Sequence, residues 1–115
     1  MKTAIGRHFL VELAECDAAP LRHADPLREI MLDAARECGA TVVGFAFHQF
    51  LPEGASGTLL LAESHFSVHT WPEERYLAMD IFTCGTEMDA ERAIEIVRRR
   101  VRAQRVEVQE LARGC

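Results

Sequence analysis

The chain has no apolar run approaching the ~20 residues that span a bilayer, and Met1-Lys2-Thr3 leads into Ile5-Gly6-Arg7-His8 without the apolar core of a signal peptide. No membrane association is expected, and the cytoplasm is the expected location. Paired cysteines are missing as well. The four cysteines, at 16, 38, 84 and 115, form no CxxC and no zinc-finger spacing, so neither a disulfide framework nor a metal site is expected. Positive charge is in deficit, with 13 Lys and Arg against 18 Asp and Glu and a net charge of -5. That balance disfavours nucleic acid as a partner, because phosphate binding needs a concentrated basic footprint. Low-complexity tracts and internal repeats are absent too, which leaves one globular domain over residues 1–115.

Alternation and helical spacing give the order of elements. Residues 5 to 14 alternate as a first strand, with Ile5, Arg7, Phe9, Val11 and Leu13 on one face. Asp25-Pro26 reads as a side-chain cap followed by a first-turn proline, and Leu27, Ile30, Met31, Ala34 and Cys38 form the apolar stripe of a helix that Gly39 stops. Thr41 to Phe50 and Thr58 to Glu63 are further strands, separated by a turn containing Gly54 and Gly57. Whether His65 to Thr70 prolongs the third strand or begins another is not decided by alternation. Tyr76 to Thr83 alternates again and delivers Cys84-Gly85 at its end. Asp89 is placed to cap a second helix whose stripe is Ala90, Ala93, Ile94, Val97 and Val101, with Glu95 in reach of Arg98 or Arg99. The late arginines of that helix read as a solvated face. Arg105 to Leu111 closes the chain as a strand with Val106 and Val108 facing inward. This is an α+β fold, a two-layer sandwich of a mainly antiparallel sheet with two helices on one face. Phe9, Phe45, Phe47 and Phe66 exceed what two helices cover, so a second subunit against the sheet is expected.

Chemistry concentrates between Leu61 and Glu73, where the polar positions of a strand are Ser64, His65, Ser67 and His69 rather than surface charge. A Ser/His pair can hydrolyse, but no Gly-x-Ser-x-Gly elbow surrounds Ser64. Cys84 beside a glycine could serve a thiol enzyme with His69. For either residue alone, a buried polar group with a satisfied partner remains the simpler reading.

Taken together, Gly6-Arg7-His8 with Cys16-Asp17, Phe47-His48 with Phe50, Gly54-x-Ser56-Gly57, Glu63-Ser64-His65-x-x-x-His69-Thr70-Trp71-Pro72-Glu73 and Phe82-Thr83-Cys84-Gly85 resemble the short prokaryotic S-adenosylmethionine decarboxylases. The resemblance runs from about Ile5 to Gly114. It implies that the bond between Glu63 and Ser64 cleaves itself, giving a β chain of 1–63 and an α chain of 64–115. Ser64 becomes a pyruvoyl group that takes substrate as a Schiff base and replaces pyridoxal phosphate as electron sink. It further implies His69 as processing base with Ser56 assisting, and Cys84 as proton donor to the decarboxylated carbon. Phe50 and His69 would flank the adenine, while Trp71 and Glu73 line the nucleoside pocket. The product would be the aminopropyl donor for spermidine synthesis, made by a homodimer of cleaved protomers.

The match departs from the family at Leu13-Ala14-Glu15 before Cys16, at Glu53, and at Glu74-Arg75-Tyr76-Leu77-Ala78. Arg75 and Leu77 are placed to reshape the pocket. These departures leave an alternative: the same chemistry on arginine or ornithine, with Glu53 binding the distal cation. A processing-dead regulatory homologue is a further alternative, against which the presence of Ser64, His69 and Cys84 argues. His8 and His48 read as structural strand residues, and His65 as processing support or structure.

Overall fold

Alternation along the strands decides which side chains enter the core. The computed structural model describes residues 4–62, 64–84 and 88–114, so Glu63, Gly85 and Cys115 lie outside the described residues. Its elements are β1 (Gly6–Ala14), α1 (Ala24–Glu37), β2 (Val42–Gln49), β3 (Ala55–Leu61), β4 (Ser64–Trp71), β5 (Tyr76–Cys84), α2 (Ala90–Val101) and β6 (Arg105–Arg113). The six strands form one sheet in the order β2-β3-β4-β5-β1-β6, each neighbour antiparallel.

Both helices lie on one face. Leu27, Ile30, Met31 and Ala34 of α1, with Ala93, Ile94, Val97 and Val101 of α2, are buried with the strand residues Phe9, Val11, Leu13, Leu59, Phe66, Val68, Leu77, Met79 and Ile81. Each large apolar side chain buried there contributes about 1.5–3 kcal/mol relative to exposure. Asp89 caps α2 as expected, accepting from the Arg92 N–H at 3.0 Å, and Glu95 pairs with Arg98 at 2.6 Å.

Three expectations are corrected. Asp25 does not cap α1, which begins one residue earlier behind His23, a residue with no side-chain cap bond. Instead Gln49, from the end of β2, accepts from the Ala24 N–H through its Oε1 at 2.6 Å. Its two amide protons are shared among the carbonyls of Arg22, Phe50 and Gly54, at 2.9, 2.9 and 3.0 Å. One side chain thus does a cap's work and folds the 50–54 turn; caps of this kind are worth about 1 kcal/mol.

Val106 and Val108 share the helix-side face with their partners Leu13 and Val11, but β6 is an edge strand and both valines stay exposed. The phenylalanine argument for a second subunit also changes. Phe9 and Phe66 are fully covered by the helices, and exposed Phe45 carries the Arg28 guanidinium over its ring, 5.9 Å from the centroid. The sheet face left without helices displays Leu10, Leu60, Trp71 and Phe82 among polar residues. Of these, Leu60 and Trp71 are strongly exposed.

Candidate functional site

The uncertain middle of the sequence resolves into a hairpin. Leu61 of β3 pairs directly with Ser64 of β4, leaving residues 62 and 63 as the connection. Ser64 is therefore the first residue of a strand, next to the bond expected to break. Register puts Ser64 on the helix side with Leu61, Phe66 and Val68, and half-buried. It lines a crevice of about 10 Å³, roughly one water's room, with Ala40, Leu61, Ala62, Thr83, Cys84 and Met88.

Cys84 ends β5 and is also half-buried in that crevice. The other described cysteines differ in kind. Burial pushes the thiols of Cys16 and Cys38 up to about 11, so both stay protonated in the core, as expected for Cys38.

At the far end of β4 a second cavity, of about 340 Å³, is lined by Phe50, Glu53, Gly54, Ser56, His69, Thr70, Trp71 and Glu73. Ser56 and His69 are cross-strand partners with Oγ and Nδ1 2.8 Å apart. Trp71 stacks on Tyr76, with centroids 5.4 Å apart, and Phe50 meets His48 edge-on at 4.7 Å. Buried Thr70 anchors the floor: its hydroxyl accepts from the Ala55 N–H at 2.9 Å and donates to the Leu21 carbonyl at 2.8 Å. The glycine spacing of this region has local causes. Gly54 adopts φ +106°, the left-handed region that favours glycine, and a Cβ on Gly57 would stand 2.1 Å from the Phe47 ring.

Of the departing residues, Glu53 does line the cavity, held by Arg22 at 3.2 Å. Arg75 and Leu77 do not. Arg75 adopts φ 52° and donates through Nε to the Cys16 carbonyl at 2.7 Å, while Leu77 is wholly buried in the core. The arginine-rich face of α2 is solvated, as read from sequence, with Arg100 paired to Asp33.

The structure therefore brings Phe50, Ser56, His69, Trp71 and Glu73 together, and separately Ser64 and Cys84. It does not bring the two groups together. Five residues of strand, at ~3.3 Å each, separate Ser64 from His69 by about 17 Å, and their side chains point to opposite faces.

A third grouping was invisible in the sequence because strand register creates it. His8 and His65 both approach Asp80 Oδ2 through Nε2, at 2.7 and 2.9 Å. Three donor atoms this close have the geometry of a metal site. The hydrogen bonding opposes one: Arg113 donates to His8 Nδ1 at 3.0 Å, so the proton of a neutral His8 sits on Nε2, where a metal would need the lone pair. The trio is better described as a carboxylate holding two imidazoles, which ties β4, β5 and β1 together on the sheet face opposite the Ser64 side chain.

Burial works to raise the Asp80 carboxyl, but hydrogen bonds from His8 and His65 outweigh it and leave the pKa below the ordinary value. A carboxyl depressed by folding adds stability above its unfolded pKa near 4, and that stability is lost as pH falls through the lower folded pKa. Asp80→Asn is expected to cost about 2 kcal/mol near neutral pH in urea unfolding, with the gap to wild type narrowing below about pH 4.

An α+β sandwich with a serine and a cysteine side by side at the ends of two strands and an aromatic-walled acidic pocket has the parts of an enzyme. Residues 7–114 match the family model described as S-adenosylmethionine decarboxylase. The S-adenosylmethionine decarboxylase proenzyme of Thermotoga petrophila is 44% identical over 111 residues, covering 96% of this chain and 85% of that protein. That of Pyrococcus abyssi is 44% identical over 110 residues, covering 96% and 79%. The crystal structure of the adenosylmethionine decarboxylase from Aquifex aeolicus superposes with a TM-score of 0.93 at 32% identity, over 99% of this chain and 94% of that one. The chain belongs to the S-adenosylmethionine decarboxylase family and is an enzyme.

Among the described residues no helix is long and apolar enough to cross a membrane. The sequence reading missed Gln49 and the partnership of His8, His65 and Asp80. Each histidine stood out alone, but nothing short of the strand register joins residues 8, 65 and 80.

Proposed function

We infer that the chain cleaves itself between Glu63 and Ser64, converts Ser64 to a pyruvoyl group, and decarboxylates S-adenosylmethionine as a cytoplasmic homodimer. The observation that carries the two-chain site is the separation of about 17 Å, across opposite faces, between the Ser64–Cys84 crevice and the His69–Trp71 cavity. Neither half suffices alone: one has a nucleophile without a base, the other a base and a pocket without an electrophile. With the helix-free faces paired and the two-fold axis running across the strands, the two β4 strands run in opposite directions, which brings the Ser64 end of one strand near the His69 end of the other. The exposed Leu60 and Trp71 on that face fit such burial.

The crevice fits the cofactor. Among the described residues lining it, none is charged, and the polar groups are hydroxyls and a thiol. When formed, the pyruvoyl group supplies a carbonyl for the substrate amine and accepts the electron pair released with carbon dioxide.

The chain's own residues do the rest. The 2.8 Å contact with Ser56 orients His69, which takes protons during self-cleavage. Phe50 and Trp71 present aromatic faces to the nucleoside and sulfonium, while Glu73 accepts from the ribose hydroxyls. Cys84 holds the proton that replaces the lost carboxyl. Glu53 is engaged by Arg22, which favours a nucleoside sulfonium over arginine or ornithine, whose distal cation would have to displace that arginine.

The test is intact-mass analysis during incubation, followed by carbon dioxide release from adenosylmethionine, arginine and ornithine. Fragments ending at Glu63 and beginning at a pyruvoyl residue, with release from adenosylmethionine alone, are expected. Release only from an amino acid would assign the pocket to that substrate instead.

A further inference from the structure

We propose that Thr83 Oγ1 is the hydrogen-bond donor to the oxygen that becomes negative when Ser64 attacks the carbonyl preceding it. Thr83 is 3% exposed, and among the described residues its hydroxyl is the one buried side-chain polar group without a hydrogen-bond partner. Such a group is destabilising, since it gives up water for nothing in return. Valine has the same shape, suits a strand equally and lacks the penalty, so packing alone gives no reason for a hydroxyl here.

Position supplies the reason. His65 pairs with Phe82, so the next rung sets Ser64 opposite Thr83, both on the helix-side face. Cross-strand partners hold their Cβ atoms about 4.5–5.5 Å apart, which puts the Thr83 hydroxyl within reach of groups attached to Ser64. Both residues line the same crevice with Ala62, where no charged described residue competes for the developing negative charge.

The inference rests on the self-cleavage reading and assigns a donor within it. In that step the Ser64 Oγ–carbon bond forms and the carbonyl oxygen takes the negative charge. The carbon–nitrogen bond to Ser64 then breaks, and the hydroxyl proton passes to the freed amine, leaving an ester without oxidation or reduction. A donor with no partner among the described residues, paired only in the tetrahedral state, lowers the barrier, because the interaction is gained where the charge appears.

Thr83→Val and Thr83→Ser test the assignment. Time courses of intact mass are expected to show cleavage slowed roughly 100-fold in Thr83→Val and kept within about tenfold in Thr83→Ser. The melting temperature of Thr83→Val should equal or exceed that of an uncut reference, Ser64→Ala, since the unpaired hydroxyl is gone. A hydroxyl of purely structural use would give the reverse: lower stability and an unchanged rate. Thr83→Val cleaving at the wild-type rate overturns the role of Thr83 while leaving self-cleavage intact. A slow, destabilised Thr83→Val that Thr83→Ser does not rescue also overturns it. A wild-type chain that stays uncut overturns the self-cleavage reading and this assignment with it.

Discussion

Ser64→Ala is expected to remain a single 12.9 kDa species through prolonged incubation and to release no carbon dioxide from adenosylmethionine above background. In the proposed self-cleavage the hydroxyl has two successive uses, as nucleophile toward the preceding carbonyl and, once acylated, as the leaving group whose elimination opens the way to the pyruvoyl group, and alanine removes both. Among the described residues the other hydroxyls lining the crevice are those of Thr41 and Thr83, and neither belongs to the residue that would become the pyruvoyl group. Ser67 is on the opposite face, bonded to Thr58, and Ser56 lies near the other end of the ladder beside His69. The fold itself should be kept, because Ser64 is half-buried and among the described residues its side chain has no hydrogen-bond partner that alanine would orphan. Intact mass, circular dichroism and a decarboxylation assay on one preparation separate lost chemistry from lost structure. Cutting at the same bond in Ser64→Ala would show that a different group attacks it.

His69→Ala is expected to slow cleavage roughly 10²–10⁴-fold, the range typical for loss of a general base. The sharper result comes from mixing it with Ser64→Ala in one cell, with different tags. Alone, His69→Ala cuts slowly and Ser64→Ala not at all. In a mixed dimer the His69→Ala chain keeps Ser64 and meets an intact His69 from its partner, so one bond per mixed dimer breaks. With equal amounts and random pairing, about half of the His69→Ala chains are cut and none of the Ser64→Ala chains. Absence of cutting in the mixture would mean that base and nucleophile meet within one protomer, against the 17 Å estimate.

The parts legible in sequence were those whose physics is local. Periodicity gave the strands and the stripes of both helices, since Leu27, Ile30, Met31 and Ala34 must share a face at 3.6 residues per turn. The Asp89 cap and the Glu95–Arg98 pair lie within one turn and were likewise readable. The cap of α1 was not, because Gln49 stands 25 residues away and reaches Ala24 only after β2 has docked. Arg75 failed for a related reason: adjacency to Glu73 promised a pocket residue, whereas its left-handed backbone turns the side chain toward Cys16. Single residues of the site were visible through resemblance, but not their division into two clusters, which follows from strand length and parity rather than residue type. Thr83 gave no signal, since an unpaired hydroxyl can be recognised only after every neighbour is placed.

The sheet order also bears on what the chain becomes once cut. Residues 1–63 supply β1, α1, β2 and β3, and residues 64–115 supply β4, β5, α2 and β6. In the order β2-β3-β4-β5-β1-β6 the fragments alternate, meeting along the β3/β4, β5/β1 and β1/β6 ladders. Neither fragment can leave without tearing β1 from between two strands of the other. The proposed cut in the hairpin would thus turn a one-chain folding problem into an association whose apparent stability depends on protein concentration. Once separated, the fragments must find each other again, while dissociation demands opening of the sheet. A protein cut there would be held by topology and kinetics alone, where the uncut one has the peptide bond as well.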